Sequence, residues 1–384
     1  MKKTLFLLTL LFTYSAYALK DGFYRLELTT QHAKIPFIIK ASGKGREFEL
    51  INGDEIIKLE NIRTKKKNHL TLEIPTYQVR FSLDVTGDKL SGHFIRSNGS
   101  QMPLTGSRGE TLFIETKMVP SDFNGKWAVI DNKGEHNVLL IEQTGNKITG
   151  SYLTKYGDYR SFNGIVNGRE FRASSFDGVY NYLIEGKLNK DELSAQILAN
   201  YKIEIKGKRD DKAKLPDAYK LTQLNSKLSF SFPDLNGNPL SLSDKELEGR
   251  PVIIQIFGSW CPNCIEELNY LIPWYEKNSS RGIRILAISF ERTNDIKRAQ
   301  VLLKKLAKKH QLNYPMLIAG VSAEDTPEKK LPGIKNFMAF PTTIFLDKKH
   351  NVYKVHTGFN GPSTKEFYQV WQKEFNQTVD ELLK

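Results

Sequence analysis

The sequence predicts an all-β region over residues 19–210, followed by an α/β domain over residues 225–384. In the first region, short alternating apolar runs are separated by turn residues about every 8–12 positions, which is typical of antiparallel β modules. In the second region, buried-strand patterns alternate with amphipathic helical patterns, which indicates a mixed sheet covered by helices. The only two cysteines of the 384-residue chain lie three positions apart, where such a strand meets such a helix.

The amino terminus has the pattern of a secretory signal peptide. Lys2 and Lys3 precede a short apolar run, and Ala16-Tyr17-Ala18 is a small-x-small cleavage site. We therefore expect residues 1–18 to be removed after Ala18, and the mature protein to be exported to the periplasm or cell envelope. No later segment approaches the roughly 20 apolar residues of a membrane helix, so we do not expect an integral membrane protein.

The β-rich region is predicted to hold two related modules, residues 19–115 and 116–210. Asp21-Gly22-Phe23-Tyr24 resembles Asn124-Gly125-Lys126-Trp127, and Gly106-Ser107-Arg108 resembles Gly207-Lys208-Arg209, at offsets of 101 to 103 residues. Each module has room for seven or eight strands, so we expect two repeated β-meanders folded as small barrels or sandwiches. A charged stretch with a proline, residues 211–224, is the predicted linker.

The α/β domain is predicted element by element from its periodicity. The order is strand 252–257, helix 261–277 interrupted near Pro273, strand 283–290, helix 295–310 after an Asn294 cap, strand 316–318, hairpin 342–347 and 352–357, and helix 363–383.

Composition bears on the partners of the chain and on how its fold is stabilised. The net charge of +13 comes from dispersed lysines without interleaved aromatic residues, which favours a solvated basic surface over a nucleic-acid site. With both cysteines in one motif, the chain has no further cysteine for a structural crosslink, and at 40% hydrophobic residues it can be stabilised by core burial instead.

The cysteine motif, Trp260-Cys261-Pro262-Asn263-Cys264, predicts thiol–disulfide exchange. A helix amino terminus offers unpaired N–H groups and partial positive charge, which stabilise the thiolate that exchange requires. Cys261 should be the exposed attacking thiol, and Cys264, one turn into the helix, the resolving thiol. A zinc half-site or a structural disulfide is the alternative, but zinc needs two further ligands, and no histidine pair at ligand spacing accompanies the motif. The dithiol itself is therefore the expected redox group, with no cofactor and no metal.

Three motifs together resemble the thioredoxin superfamily, and within it the exported TlpA/ResA-like reductases. They are the Phe257 to Cys264 segment, Phe340-Pro341-Thr342-Thr343, and His356-Thr357-Gly358-Phe359. The resemblance covers about residues 225–384 and implies a thioredoxin fold and disulfide exchange with other exported proteins. It also implies a membrane electron donor that reduces the oxidised protein.

The resemblance assigns roles to individual residues. It implies that Pro341 is a cis-proline facing the cysteines, where a substrate chain can pair with Phe340, although a smaller residue is usual at position 340. Trp260, Pro262 and Asn263 complete the predicted substrate-contact surface.

Glu267 matches a glutamate that TlpA/ResA-like proteins keep near the buried thiol. A carboxyl group in a partly apolar pocket has a raised pKa and can exchange a proton with the resolving thiol. The alternative is an acidic residue placed in the first turn by the helix dipole, which is the expectation for Glu266. Gln255 stands where cytosolic thioredoxins have a buried aspartate, and this absence favours Glu267 as the proton carrier. The predicted catalytic set is then Cys261, Cys264, Glu267 and Pro341.

The predicted function is reduction of disulfides in exported proteins. The same site could instead catalyse oxidation or isomerisation, but Pro262-Asn263 lacks the histidine that stabilises the thiolate in oxidising relatives, which favours reduction. Peroxide reduction would need a threonine where the chain has Gly258. A further alternative makes the β-rich half a partner-binding module, with the redox domain as its effector.

Overall fold

The computed structural model describes residues 19–62, 68–116, 118–224 and 227–384. The predicted signal peptide lies outside these residues. Within them, none of the helices combines the length and the apolar character needed to cross a membrane.

The first part of the described chain is a closed antiparallel barrel in which each strand pairs with the next and the last pairs with the first. The described strands are β1 (Gly22–Thr29), β2 (Lys34–Ser42), β3 (Glu47–Asn52), β4 (Glu55–Ile62), β5 (His69–Ile74), β6 (Val79–Thr86), β7 (Lys89–Ile95) and β8 (Gln101–Arg108).

A second closed barrel has the same up-and-down order within the continuous stretch 118–224. Its strands are β9 (Gly125–Asp131), β10 (His136–Thr144), β11 (Lys147–Thr154), β12 (Gly157–Asn167), β13 (Glu170–Phe176), β14 (Asn181–Asn189), β15 (Glu192–Leu198) and β16 (Lys202–Arg209).

The repeated sequence motifs occupy equivalent places in the two barrels. Tyr24 and Trp127, each the third residue of its barrel, are fully or almost fully buried. The Tyr24 hydroxyl donates to the carbonyl of Lys20 and the Trp127 indole N–H to that of Phe123, both at 2.9 Å and both four residues earlier. The alternating strands thus fill each interior with large side chains. The predicted fold class is confirmed, and of the two predicted architectures the modules are barrels.

The carboxy-terminal domain contains a five-stranded mixed sheet within residues 227–384, in the order β22-β21-β20-β24-β25. β20 pairs in parallel with β21 and antiparallel with β24, so it lies at the centre of the sheet. The strands of this sheet are β20 (Val252–Phe257), β21 (Arg284–Phe290), β22 (Met316–Gly320), β24 (Thr342–Leu346) and β25 (Val352–Thr357). Two short antiparallel pairs lie outside it. In one, β17 (Gln223–Leu224) pairs with β23 (Ile334–Lys335), and in the other, β18 (Ser231–Pro233) pairs with β19 (Pro239–Ser241).

The helices of this domain are α1 (Pro262–Asn278), α2 (Ile296–His310), α3 (Pro327–Lys330) and α4 (Glu366–Leu383). Two local predictions are wrong. Helix α1 continues through Pro273 without interruption. The cap of α2 is Asp295 and not Asn294, because the Asp295 carboxylate accepts hydrogen bonds from the N–H groups of Lys297 and Arg298. Strands alternating with helices, a closing hairpin and a final helix form the predicted thioredoxin fold.

The predicted linker is an ordered segment packed on the redox domain. The Thr357 hydroxyl of β25 donates to the Thr222 hydroxyl at 2.8 Å. The Tyr219 ring contacts the His356 ring edge-to-face, with centroids 4.9 Å apart. Residues 218–224 therefore lie against β25.

Candidate redox site

The two cysteines lie where central strand β20 passes into helix α1. Cys261 is the N-cap residue, with extended backbone, and its Sγ accepts a hydrogen bond from the N–H of Cys264 at 3.3 Å. Pro262 follows at the first helical position, where no N–H is needed. Cys261 and Cys264 form a disulfide, with Cα atoms 5.3 Å apart.

Cys261 is less accessible than the sequence suggests. The residue is 5% exposed and Cys264 is fully buried. The expected exposure of the attacking sulfur is therefore wrong for this structure. The reason is the capping geometry, which turns Sγ towards the helix backbone and to 3.6 Å from the carbonyl oxygen of Phe340.

The Phe340–Pro341 peptide bond is cis, and the loop that contains it faces the disulfide. The Phe340 ring packs edge-to-face on the Trp260 ring, with centroids 5.2 Å apart. The Trp260 indole N–H donates to the carbonyl of Phe290, and the Arg292 guanidinium lies 3.5 Å from the centre of the Trp260 ring. Trp260 and Phe340 are both partly exposed, so one side of the disulfide has an accessible aromatic surface.

A buried carboxylate that sequence reasoning missed holds the loop before Cys261. Glu291 is 3% exposed and accepts hydrogen bonds from the N–H and the hydroxyl of Ser259, at 2.9 and 2.6 Å. The Ser289 hydroxyl donates to the same carboxylate at 2.7 Å. The sequence did contain one indication of this contact, because Glu291 comes directly after β21. The carboxyl ends of neighbouring parallel strands lie at one edge of the sheet, so this residue lies close to the end of β20.

Glu267 is fully buried beneath the disulfide, on the same helix. One carboxyl oxygen accepts from the Thr343 hydroxyl at 2.6 Å and the other from the Gln255 side-chain amide at 2.8 Å. The Gln255 amide also donates to the carbonyl of Cys264 at 3.1 Å. Burial raises the pKa of Glu267 to about 7, against the lowering effect of the two hydrogen bonds. The carboxyl group of Glu267 and the carbonyl of Cys264 thus share the Gln255 amide, and the pKa of this carboxyl group lies close to neutral pH.

The residues between the cysteines face the second barrel. Pro262 and Asn263 are buried, although both were predicted as substrate contacts. The Asn263 amide donates to the carbonyls of Asp158 in β12, at 3.0 Å, and of Phe359, at 3.3 Å. In this arrangement the Asn263 amide is hydrogen-bonded to other residues of the same chain, so the predicted substrate contact through this side chain is wrong for this structure.

Glu266 also has a partner that the sequence did not reveal. Its carboxylate forms an ion pair with Arg160 of the second barrel. Arg160 is buried and also pairs with Glu55 of the first barrel at 2.7 Å and with Asp177 at 3.3 Å. The interpretation of Glu266 as a helix-dipole residue is incomplete, since this contact between modules is nonlocal and leaves no pattern in the sequence.

Known proteins resemble the part of the chain that carries this site. Residues 225–355 match the model of the AhpC/TSA family. The chain is 28% identical over 138 residues to a thiol-disulfide oxidoreductase ResA of Bacillus cereus, covering 36% of this chain and 69% of the relative. It is 27% identical over 130 residues to ResA of Bacillus subtilis, covering 34% of this chain and 64% of that relative.

Among solved structures, the chain is similar to a thiol:disulfide interchange protein of the thioredoxin family from Chlorobium tepidum TLS. The identity is 22% and the TM-score 0.30, over 42% of this chain and 98% of that one. The family model leaves both barrels outside its range, and the chain spans about two thirds of the length of the ResA relatives. The carboxy-terminal domain, which the sequence motifs likened to the TlpA/ResA proteins, thus has a thioredoxin-like fold and is similar in sequence to the ResA thiol-disulfide oxidoreductases.

Proposed function

We propose that this protein is an exported reductase of disulfides in other proteins of the periplasm or cell envelope. One observation carries the proposal: a Cys261–Cys264 disulfide at the start of α1, facing the carbonyl of Phe340 before the cis-proline. The dithiol is the redox group, and the proposed reaction needs no cofactor.

The first step is attack on the substrate. In the reduced protein, the Cys261 thiolate is stabilised by the N–H groups at the start of α1 and attacks one sulfur of the substrate disulfide. A bond forms between Cys261 and that sulfur, the substrate S–S bond breaks, and the other substrate sulfur leaves as a thiolate. In this step the substrate chain would pair with the backbone of Phe340, and the 3.6 Å between its carbonyl oxygen and Sγ of Cys261 supports this pairing.

The second step releases the substrate. The Cys264 thiolate attacks Sγ of Cys261, which forms the internal disulfide and expels the second substrate thiolate. Two electrons have then passed from the protein to the substrate. Glu267 accepts the proton of Cys264 in this step, because its buried carboxyl group has a pKa near neutral. We propose that a membrane electron donor reduces the internal disulfide and completes the cycle.

The dithiol cycle is tested by two single variants. Cys261→Ala should abolish insulin reduction, because no attacking thiolate remains. Cys264→Ser should retain attack but accumulate mixed disulfides, since no resolving thiol is left. Mass spectrometry of the trapped species would name the substrates, and the Cys261→Ala/Cys264→Ser double variant is the control that should trap none. Mixed disulfides that accumulate through Cys264 in Cys261→Ala, and not through Cys261 in Cys264→Ser, would refute the mechanism.

The direction of transfer is tested by the reduction potential of the Cys261–Cys264 pair. We expect a potential in the reducing range, about −270 mV as in thioredoxin, because Pro262-Asn263 supplies no extra cation to the thiolate. Equilibration with a thioredoxin or glutathione couple would measure it. A value near the about −120 mV of a strong oxidant would assign the protein to disulfide formation instead.

A further inference from the structure

The second barrel contacts the redox motif through one turn. This docking turn, residues 154–160, comprises the last residue of β11, the two connecting residues and the first four residues of β12. The N–H of Asp158 donates to the carbonyl of Phe359 at 3.3 Å, and the Asp158 carboxylate accepts from the N–H of Gly361 at 2.6 Å. With the Asn263 amide on the carbonyl of Asp158, the turn holds both the residue between the cysteines and the loop after β25.

The two surfaces fit so closely that neither tolerates a side chain at its glycine. A Cβ on Gly157 would lie 2.7 Å from both the Asn263 amide nitrogen and the Phe359 carbonyl oxygen. A Cβ on Gly358 would lie 2.9 Å from the backbone of Tyr156. Both glycines have positive φ, of 122° and 78°. The two backbones therefore pack directly against each other at this contact, where glycine leaves the room that a side chain would fill.

An ionic cluster holds the same turn in place. Arg160, at its end, is 4% exposed and lies among Glu55 of the first barrel, Asp177 of the second and Glu266 of α1. Its N–H donates to the Asp158 carboxylate at 2.7 Å. One guanidinium thus connects both barrels to the helix that starts at the disulfide. Removing one partner of such a buried cluster leaves uncompensated charge.

We propose that the docking turn is a wall of the substrate site, which restricts the protein to disulfides in flexible, extended segments and excludes those on compact folded surfaces. The inference rests on the proposed disulfide exchange and names its substrate class. On one side of Cys261, Pro262 and Asn263 are buried, and Asn263 lies under the turn. On the other side, Trp260 and Phe340 remain partly exposed.

The geometry of disulfide exchange explains why the shape of the substrate determines whether it can react. The substrate sulfur must come into contact with Sγ of Cys261, which is 5% exposed, so the chain around that sulfur must lie directly on the site. A thin, flexible segment can enter over Trp260 and Phe340 and leave by the same side. A broad folded surface collides with the barrel before its sulfur arrives.

The test removes the wall without touching the cysteines. Glu266→Lys places a cation against Arg160 and should undock the barrels. Glu276→Lys is the matched control, because it makes the same charge change at an exposed site, 10 residues later on the same helix. Gly157→Val is a second, uncharged variant, which acts by steric conflict from the barrel side.

Three substrates separate the effect of substrate shape from that of the exchange chemistry. They are dithiobis(nitrobenzoate), a flexible peptide disulfide, and a folded protein with a surface disulfide. Glu266→Lys and Gly157→Val should raise the rate with the folded protein about fivefold or more, and leave the first two rates close to those of the wild type. Glu276→Lys should behave as the wild type. Rates with the folded protein that stay unchanged or fall in both variants would contradict the proposal that the docking turn is a wall of the substrate site.

A readout without turnover keeps this inference separate from the proposed function. In the reduced protein, iodoacetamide and a maleimide carried on a folded protein should alkylate Cys261, and only the second reaction should accelerate in Glu266→Lys and Gly157→Val. Equal acceleration of both reagents, or of neither, would overturn the wall. Failure of every variant to reduce any disulfide, with the alkylation result as expected, would refute the proposed function and leave the wall standing. Small-angle scattering should show that the barrels are undocked in both variants, and a folded-protein rate that rises in a variant that is still docked would overturn the wall.

Discussion

At the residue scale, Glu267 is a fully buried carboxyl group three residues after Cys264 in α1. Its position on the same face of the helix as Cys264 could be predicted from its spacing, because residues three apart along a helix lie on one face. Its two hydrogen-bond donors could not be placed with the same certainty. Thr343 lies 76 residues away in sequence and meets the carboxyl group only through the pairing of β24 with β20.

Replacing Glu267 tests the titration directly. The pKa of this carboxyl group rises from its usual 4.5 to about 7 on folding, so the folded protein holds the proton more tightly than the unfolded chain. Glu267 should therefore contribute a fall in the free energy of unfolding of on the order of 3 kcal/mol as the pH rises from about 4.5 to about 7, in addition to the fall from Asp177, whose pKa is also raised. In Glu267→Gln the contribution of Glu267 should disappear, which urea unfolding at several pH values would measure.

The rate profile provides the matching kinetic test. Disulfide exchange should show an inflection near pH 7 in the wild type and none in Glu267→Gln. Thr343→Val should move the inflection upwards, because its hydroxyl lowers the pKa of the carboxyl group. An identical profile in all three proteins would remove Glu267 from proton transfer.

At the scale of elements, periodicity located the helices and strands better than their ends. The buried run of β20 and the amphipathic run of α2 follow from local pattern. The cap of α2 depends on which of two adjacent polar side chains turns towards the helix, and Asp295 does so at 2.9 and 3.2 Å. The continuation of α1 through Pro273 depends on tertiary packing, since Leu271, Ile272 and Trp274 around it are core residues.

The cap offers a test on one helix. Asp295→Ala should lower the free energy of unfolding by about 1 kcal/mol, because two N–H groups of the first turn lose their acceptor. Asp295→Asn should retain most of that stability, and Lys297→Ala, exposed on the same helix, should change it little. Chemical denaturation would measure all three. A loss in Lys297→Ala as large as in Asp295→Ala would show that the cap is not the cause.

At the scale of the whole molecule, the docking of the barrels on the redox domain could not be predicted. The repeat within the β-rich half and the thioredoxin resemblance are both visible in sequence. Arg160, Glu55 and Glu266 are ordinary charged residues in three separate segments, and they meet only in the folded chain. Burial in this cluster raises the pKa of Asp177 to about 6, because the folded chain removes water from its carboxyl group.

The cluster should make Arg160 one of the most sensitive positions of the second barrel. Arg160→Met should cost about 3–5 kcal/mol, because Asp177, Glu55 and Glu266 remain without their cation. The Arg160→Met/Asp177→Asn double variant should recover part of that loss. Arg172→Met, which removes an exposed guanidinium paired with Glu185 on the same barrel, should cost less than about 1 kcal/mol. Urea and thermal midpoints of the full chain would rank them, and equal midpoints for Arg160→Met and Arg172→Met would contradict the assignment.

The segment between the barrels and the redox domain has a consequence for solubility. β25 is the last strand of the five-stranded sheet in residues 227–384, and residues 218–224 lie against it. A bare sheet edge invites a strand from another molecule to add to it, which is a route to aggregation. Through its contacts with the side chains of His356 and Thr357, the connecting segment covers the end of β25, so a redox domain produced without residues 218–224 should self-associate through that strand.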